Sequence, residues 1–125
     1  MKLLIAGSRG FESYDTMGLY DVFGRAAKLL SIDVYEDPLT IISGGARGID
    51  SAGEAWAAYM AFPFILYTAY WDEQGKRAGY IRNAEMAEAC DVGILVWDGK
   101  SKGTAHMRDL LAKAGKPFVL MHYPL

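Results

Sequence analysis

A chain of 125 residues, 52% apolar and 22% charged, has the length of one compact domain and enough apolar residues for a core without disulfides or a structural metal. Thirteen Lys and Arg against fifteen Asp and Glu leave a net charge of −2, which argues against a general nucleic-acid binder but leaves room for a local basic patch. The single cysteine, Cys90, excludes an intrachain disulfide framework, no Cys/His cluster has zinc spacing, and a reducing, cytosolic setting fits. The apolar run that opens the chain is too short for a signal peptide, and no stretch approaches the roughly 18 apolar residues of a membrane span.

Five short apolar runs alternate with longer amphipathic segments. The first, Leu3–Ala6, leads into Gly7-Ser8-Arg9-Gly10 and reads as a strand buried on both faces. A helix is expected from about Tyr14 to Leu30, its stripe formed by Leu19, Val22, Phe23, Ala26 and Leu30, with Ser13 or Asp15 as cap. Pro38 precedes a second strand, Leu39–Ile42, which ends in Ser43-Gly44-Gly45-Ala46-Arg47-Gly48. The next helix, about Ile49 to Met60, places Ile49, Ala52, Trp56 and Tyr59 on one face. Phe62–Leu66 is a third strand, at an edge or beginning just after Pro63.

Residues Thr68 to Gly79 read as a long loop of the kind that often carries function. A helix from Tyr80 to Cys90 follows, then a fourth strand, Val92–Trp97, ending at Asp98-Gly99-Lys100-Ser101-Lys102-Gly103-Thr104. The last helix carries Met107, Leu110, Leu111 and Ala114 and stops at Gly115, before a fifth strand, Phe118–Leu120. This alternation predicts a single α/β domain, a doubly wound, Rossmann-like fold with a five-stranded parallel sheet flanked by helices. Such a sheet binds ligands outside the carboxyl ends of its strands, where the strand order switches. The glycine-rich loops after strands one, two and four should therefore meet in one crevice.

The chemistry available there suits an anion. Gly44 and Gly45 stand just before a helix start, where free N–H groups and the helix dipole favour negative charge. Arg47 can hold phosphate bidentately, and Asp50 either caps the first turn or accepts from a sugar hydroxyl. Gly7, Ser8 and Arg9 supply close backbone approach and donors, and Gly103 and Thr104 repeat the helix-start arrangement. Lys76 and Arg82 can meet phosphate, and Trp71, Tyr80 or Trp97 can stack on a base. Asp98, at a strand end, can accept from ribose or act as a base, whereas Lys100 and Lys102 read as solvated. His106 and His122 lack any partner pattern, and Cys90 reads as a small buried apolar group. No metal-ligand spacing and no Ser-His-Asp arrangement is readable.

Taken together, Gly-Ser-Arg-Gly after strand one, Ser-Gly-Gly-Ala-Arg-Gly-Ile-Asp after strand two, Gly-Lys…Ala-Gly…Arg-Asn in the middle and Asp-Gly-Lys-Ser-Lys-Gly-Thr after strand four resemble the SLOG superfamily, and within it the YspA-related branch of bacteria and phages. The resemblance spans about Met1 to Pro117. It implies a nucleotide-binding domain whose pocket is lined by Gly7, Ser8, Arg9, Gly44, Gly45, Arg47, Arg82, Asn83, Gly103 and Thr104. Ser43, Asp50, Lys76 and Asp98 complete the expected site. The expected ligand is a nucleotide or an ADP-ribose-like molecule, with no cofactor or metal required and a homo-oligomer conceivable.

Two related families set the alternatives. LOG phosphoribohydrolases carry Pro-Gly-Gly-x-Gly-Thr-x-x-Glu; here the glutamate position is Met107 and the Pro-Gly-Gly start is Gly99-Lys100-Ser101, so an N-glycosidic hydrolase would need Asp98 as its acidic group. DprA shares the Ser-Gly-x-Ala-Arg-Gly-Ile-Asp loop and acts on single-stranded DNA. A DNA role here would draw on Arg9, Arg47, Lys76, Lys100 and Lys102, against the negative net charge.

Overall fold

A computed structural model of the chain describes residues 1–9 and 16–123. Its elements are β1 (Lys2–Gly7), α1 (Thr16–Leu29), β2 (Thr40–Ser43), α2 (Ile49–Met60), β3 (Phe64–Leu66), α3 (Trp71–Gln74), a 3-10 turn (Gly75–Arg77), α4 (Ala78–Ala89), β4 (Val92–Trp97), α5 (Lys102–Lys113) and β5 (Phe118–His122). The strands form one sheet in the order β3-β2-β1-β4-β5, and every pairing is parallel. This is the expected Rossmann-like α/β arrangement. The chain winds outward from β1 to β3, then returns to the other side of β1 as β4. The order therefore switches between β1 and β4.

The continuous apolar runs explain the layers. Alternate residues of a strand face opposite sides of the sheet. Leu3, Ile5, Ile41, Ile94 and Val96 pack against Leu19, Phe23, Ala52 and Trp56, which places α1 and α2 on one face. Leu4, Ala6, Ile42 and Leu95 pack against Met86, Cys90, Met107 and Leu111, which places α4 and α5 on the other. Each of the fully buried leucines and isoleucines contributes roughly 1.5–3 kcal/mol by leaving water. The edge strand β3 begins directly after Pro63, and its three residues are exposed.

Three expectations need correction. The segment Thr68 to Gly79 is not one long loop: Trp71–Gln74 is a short helix, and α4 begins at Ala78 rather than Tyr80. Asp72 and Glu73 favour the first turn of α3, and Gly75, at φ +62°, ends it after one turn. Tyr59 is 67% exposed rather than on the core stripe, and it lies against Tyr20 instead. Ala114 follows the end of α5 and is exposed as well. The cap expected from Ser13 or Asp15 lies outside the described residues, as does Gly10.

Candidate functional site

The crevice is built on the turn that leaves β1. Gly7 sits where any side chain would strike the Val96 carbonyl and come within 2.7 Å of Ile49 Cβ. Ser8, fully buried, then ties three elements together. Its N–H donates to the Val96 carbonyl (3.1 Å), its carbonyl accepts from Ile49 N–H (3.2 Å), and its Oγ accepts from Asp98 N–H (3.0 Å). The approach that lets Ile49 reach Ser8 requires Gly48 at φ +75°, because a Cβ there would strike the Ser8 carbonyl. These contacts hold β1, β4 and the start of α2 at the switch point.

Asp50 stands in the first turn of α2, buried, with 4% exposure. Its Oδ1 accepts from Gly7 N–H and its Oδ2 from Ala46 N–H, both at 3.3 Å. Burial pushes its pKa up to about 6, against the lowering effect of the Ala46 and Gly7 N–H groups and the Arg82 charge. Gly45 N–H is likewise taken, by Ser43 Oγ (3.1 Å), which itself donates to Glu54 Oε2 (2.9 Å). The backbone cradle expected around Gly44 and Gly45 is thus partly filled by the protein's own side chains. The carboxylate of Asp50 occupies the place at the helix start where an anion was expected.

The positive charge comes instead from arginines. Two adjoining cavities, each about 350 Å³, open at the carboxyl edge of the sheet, and Arg9 and Arg82 line both. Arg82 donates from Nη1 to the Gly44 carbonyl (3.1 Å), while its buried Nε has no hydrogen-bond partner among the described residues. Burial and the neighbouring Arg9 charge both lower the Arg82 pKa, and Asp50 opposes them. The second cavity also has Gly44, Gly45 and Arg47 in its wall, with Leu66 and Thr68 from the end of β3. The first has Gly7, Asp50, Lys76, Asn83, Gly103 and Thr104, with the rings of Trp71 and Tyr80. Each cavity lies at the small end of the roughly 300–1,000 Å³ of ordinary ligand pockets.

Several expected residues serve otherwise. Ser8 and Ser43 are buried and structural in their bonding. Asp98 is exposed and lines neither cavity: its Oδ1 accepts from Lys100 and Ser101 N–H (2.8 and 2.9 Å), which hold its pKa below the usual carboxylate range. Trp97 also lies elsewhere, its Nε1 donating to Ser101 O and its ring beside Arg108. Thr104 faces the first cavity, yet its N–H and Oγ1–H both go to Ser101 Oγ, the cap of α5. Met86 and Met107 line the first cavity too. Met86 was findable, since it follows Arg82 and Asn83 by one helical turn. Leu66, Thr68 and Ala69 had no such signal, because only the pairing of β3 beside β2 brings them there.

The fold and the crevice define a doubly wound α/β protein with a polar, arginine-lined crevice at its topological switch point. The chain belongs to the family of the Gene 61 protein of Mycobacterium phage D29, with which it is 33% identical over 126 residues, 94% of each chain. No family model matches it, and no solved structure does. Among the described residues no group of His, Cys, Asp and Glu could hold a metal, and no helix is long and apolar enough to cross a membrane.

Proposed function

We propose that this protein binds a nucleotide or nucleotide-derived molecule at the crevice. The observation that carries the reading is the pair Arg9 and Arg82, shared by both cavities, with a buried Arg82 Nε that has no partner among the described residues. A buried, unpaired guanidinium donor is costly unless an anion meets it, and phosphate suits the guanidinium fork. Beside it, Asp50 is placed to accept from sugar hydroxyls, and Trp71 and Tyr80 present flat faces to a base. A panel of AMP, ADP-ribose, NAD and cyclic nucleotides tests this by thermal melting. A ligand at about 100 times its Kd adds about 2.7 kcal/mol, which raises Tm by roughly 10 °C in a domain of this size. No shift with any of them at millimolar concentration sinks the proposal.

Asp50 also favours a second reading, hydrolysis of the nucleotide's glycosidic bond. A buried carboxylate with a raised pKa can take a proton from water as the hydroxyl adds to the anomeric carbon; the C–N bond breaks with its electron pair on the base, which takes a proton from solvent, and Asp50 then returns its own to solvent. Asp98, exposed and outside both cavities, is not placed for this. The same panel, assayed by chromatography for free base, decides between the readings. Release that Asp50→Asn abolishes makes the protein a hydrolase; binding without release leaves it a sensor or carrier.

A further inference from the structure

Asn83 is 7% exposed and forms part of the wall of the first cavity. Its Nδ2 lies 3.3 Å from the Gly103 carbonyl and 3.3 Å from Nδ1 of His106. A carbonyl can only accept, so the amide is oriented with its N–H groups toward Gly103. The second N–H then meets His106 Nδ1, which must carry a lone pair, with the ring proton on Nε2. Both donors of the amide are taken. The Oδ1 atom has no hydrogen-bond partner among the described residues. The Tyr80 ring packs edge-on against His106, with centroids 4.7 Å apart, which fixes the imidazole in turn. Asn83 therefore lies on the aromatic side of the cavity, beside Tyr80, while Asp50 lies by Gly7 and Ala46.

Resting on the nucleotide reading above, we propose that Asn83 reads the base as an obligatory hydrogen-bond acceptor, held in that polarity by the Gly103 carbonyl and His106 together, so that the site selects bases with an exocyclic amine over their oxo counterparts. An adenine or cytosine amine offers the N–H that Oδ1 requires. A carbonyl in the same place sets two acceptors against each other at the cavity wall, and such a mismatch is rejected more strongly than a missing contact. Burial also lowers the His106 pKa, with Asp109 opposing, so the imidazole stays neutral and keeps its accepting nitrogen near pH 7. His106 acts through Asn83 and is a positioning residue.

The experiment is calorimetric titration of the whole chain with AMP, IMP, CMP and UMP. The native protein is expected to bind AMP over IMP, and CMP over UMP, by about tenfold or more. His106→Phe keeps an aromatic partner for Tyr80 but removes one of the two acceptors that hold the amide; AMP still binds, and the preference over IMP narrows. Asn83→Leu removes the preference and weakens AMP. Equal native affinity for amine and oxo bases overturns the proposal while leaving nucleotide binding intact. A His106→Phe protein that retains the native preference overturns the part given to His106. The native ratio alone decides the matter if either variant fails to fold. Failure of all four nucleotides to bind overturns this proposal, and the nucleotide reading falls with it if ADP-ribose, NAD and cyclic nucleotides fail as well.

Discussion

At the scale of single residues, Asp50 shows how burial turns an ordinary helix-start carboxylate into a site group. Its spacing after Gly44-Gly45 marks the first turn of α2, and that much is readable in the chain. Its desolvation is not, because the atoms that exclude water come from the turn after β1 and from α4. The sign of the consequence is opposite to that of a salt-bridged carboxylate. The folded pKa, about 6, lies above the ordinary 3.8, so the native state binds more protons than the unfolded one between those values. Stability is therefore expected to fall as pH rises from about 4 to about 6, by up to about 3 kcal/mol. Asp50→Asn should flatten that fall, while its amide nitrogen sets a donor against Gly7 or Ala46 N–H and ligand binding weakens. Melting curves of both proteins across pH 4–8 check it, and a wild type whose Tm rises steadily over pH 4–6 contradicts it. His106 makes the same point about legibility. In sequence it is a lone histidine, and only the meeting of α4 with α5 brings it to Asn83.

At the scale of elements, the two ends of the sheet do different work. The carboxyl end builds the crevice; the amino end carries closing contacts. Lys116, in the turn before β5, donates from Nζ to the carbonyls of Ala87, Glu88 and Cys90 at 2.6, 2.6 and 2.7 Å. These are carbonyls at the C-terminus of α4, where the helix dipole also favours a cation. Lys116→Met should cost about 1–2 kcal/mol in denaturant unfolding and leave nucleotide affinity unchanged. A loss of affinity of the same size would show that the capping also positions Arg82 and Asn83. Nothing in the sequence marks Lys116 as a cap, since its partners lie 26 to 29 residues earlier. Strands β1, β2 and β4, by contrast, are legible to within a residue at each end, because they are apolar on both faces and flanked by glycine-bearing turns. The segment between β3 and α4 is not. One turn of helix is unstable by itself, and α3 exists through its contacts with the following turn and α4.

At the scale of the molecule, the switch in strand order gathers one site from chain segments far apart in sequence. Residues 44–50, residues 71–83 and the start of α5 all reach it. A bound nucleotide should slow amide hydrogen exchange in those segments together, and leave residues 32–38 and 113–117, at the amino end of the sheet, unchanged. Mass-spectrometric exchange with and without AMP checks this, and protection confined to residues 44–50 would argue against a site that spans the sheet. What the sequence determined by itself is the class of fold and the end of the sheet where the crevice opens. Periodicity and glycine placement are local properties, and the parallel crossover rule converts them into topology. The tertiary structure alone decided which polar groups remain available. It assigned the N–H groups of Gly45 and Ala46 to Ser43 and Asp50, turned Asp98 onto its own loop, and left Arg82 Nε without a partner among the described residues. The physical reason is that hydrogen-bond satisfaction and desolvation depend on which atoms meet in space, and residues distant in the chain supply most of those atoms.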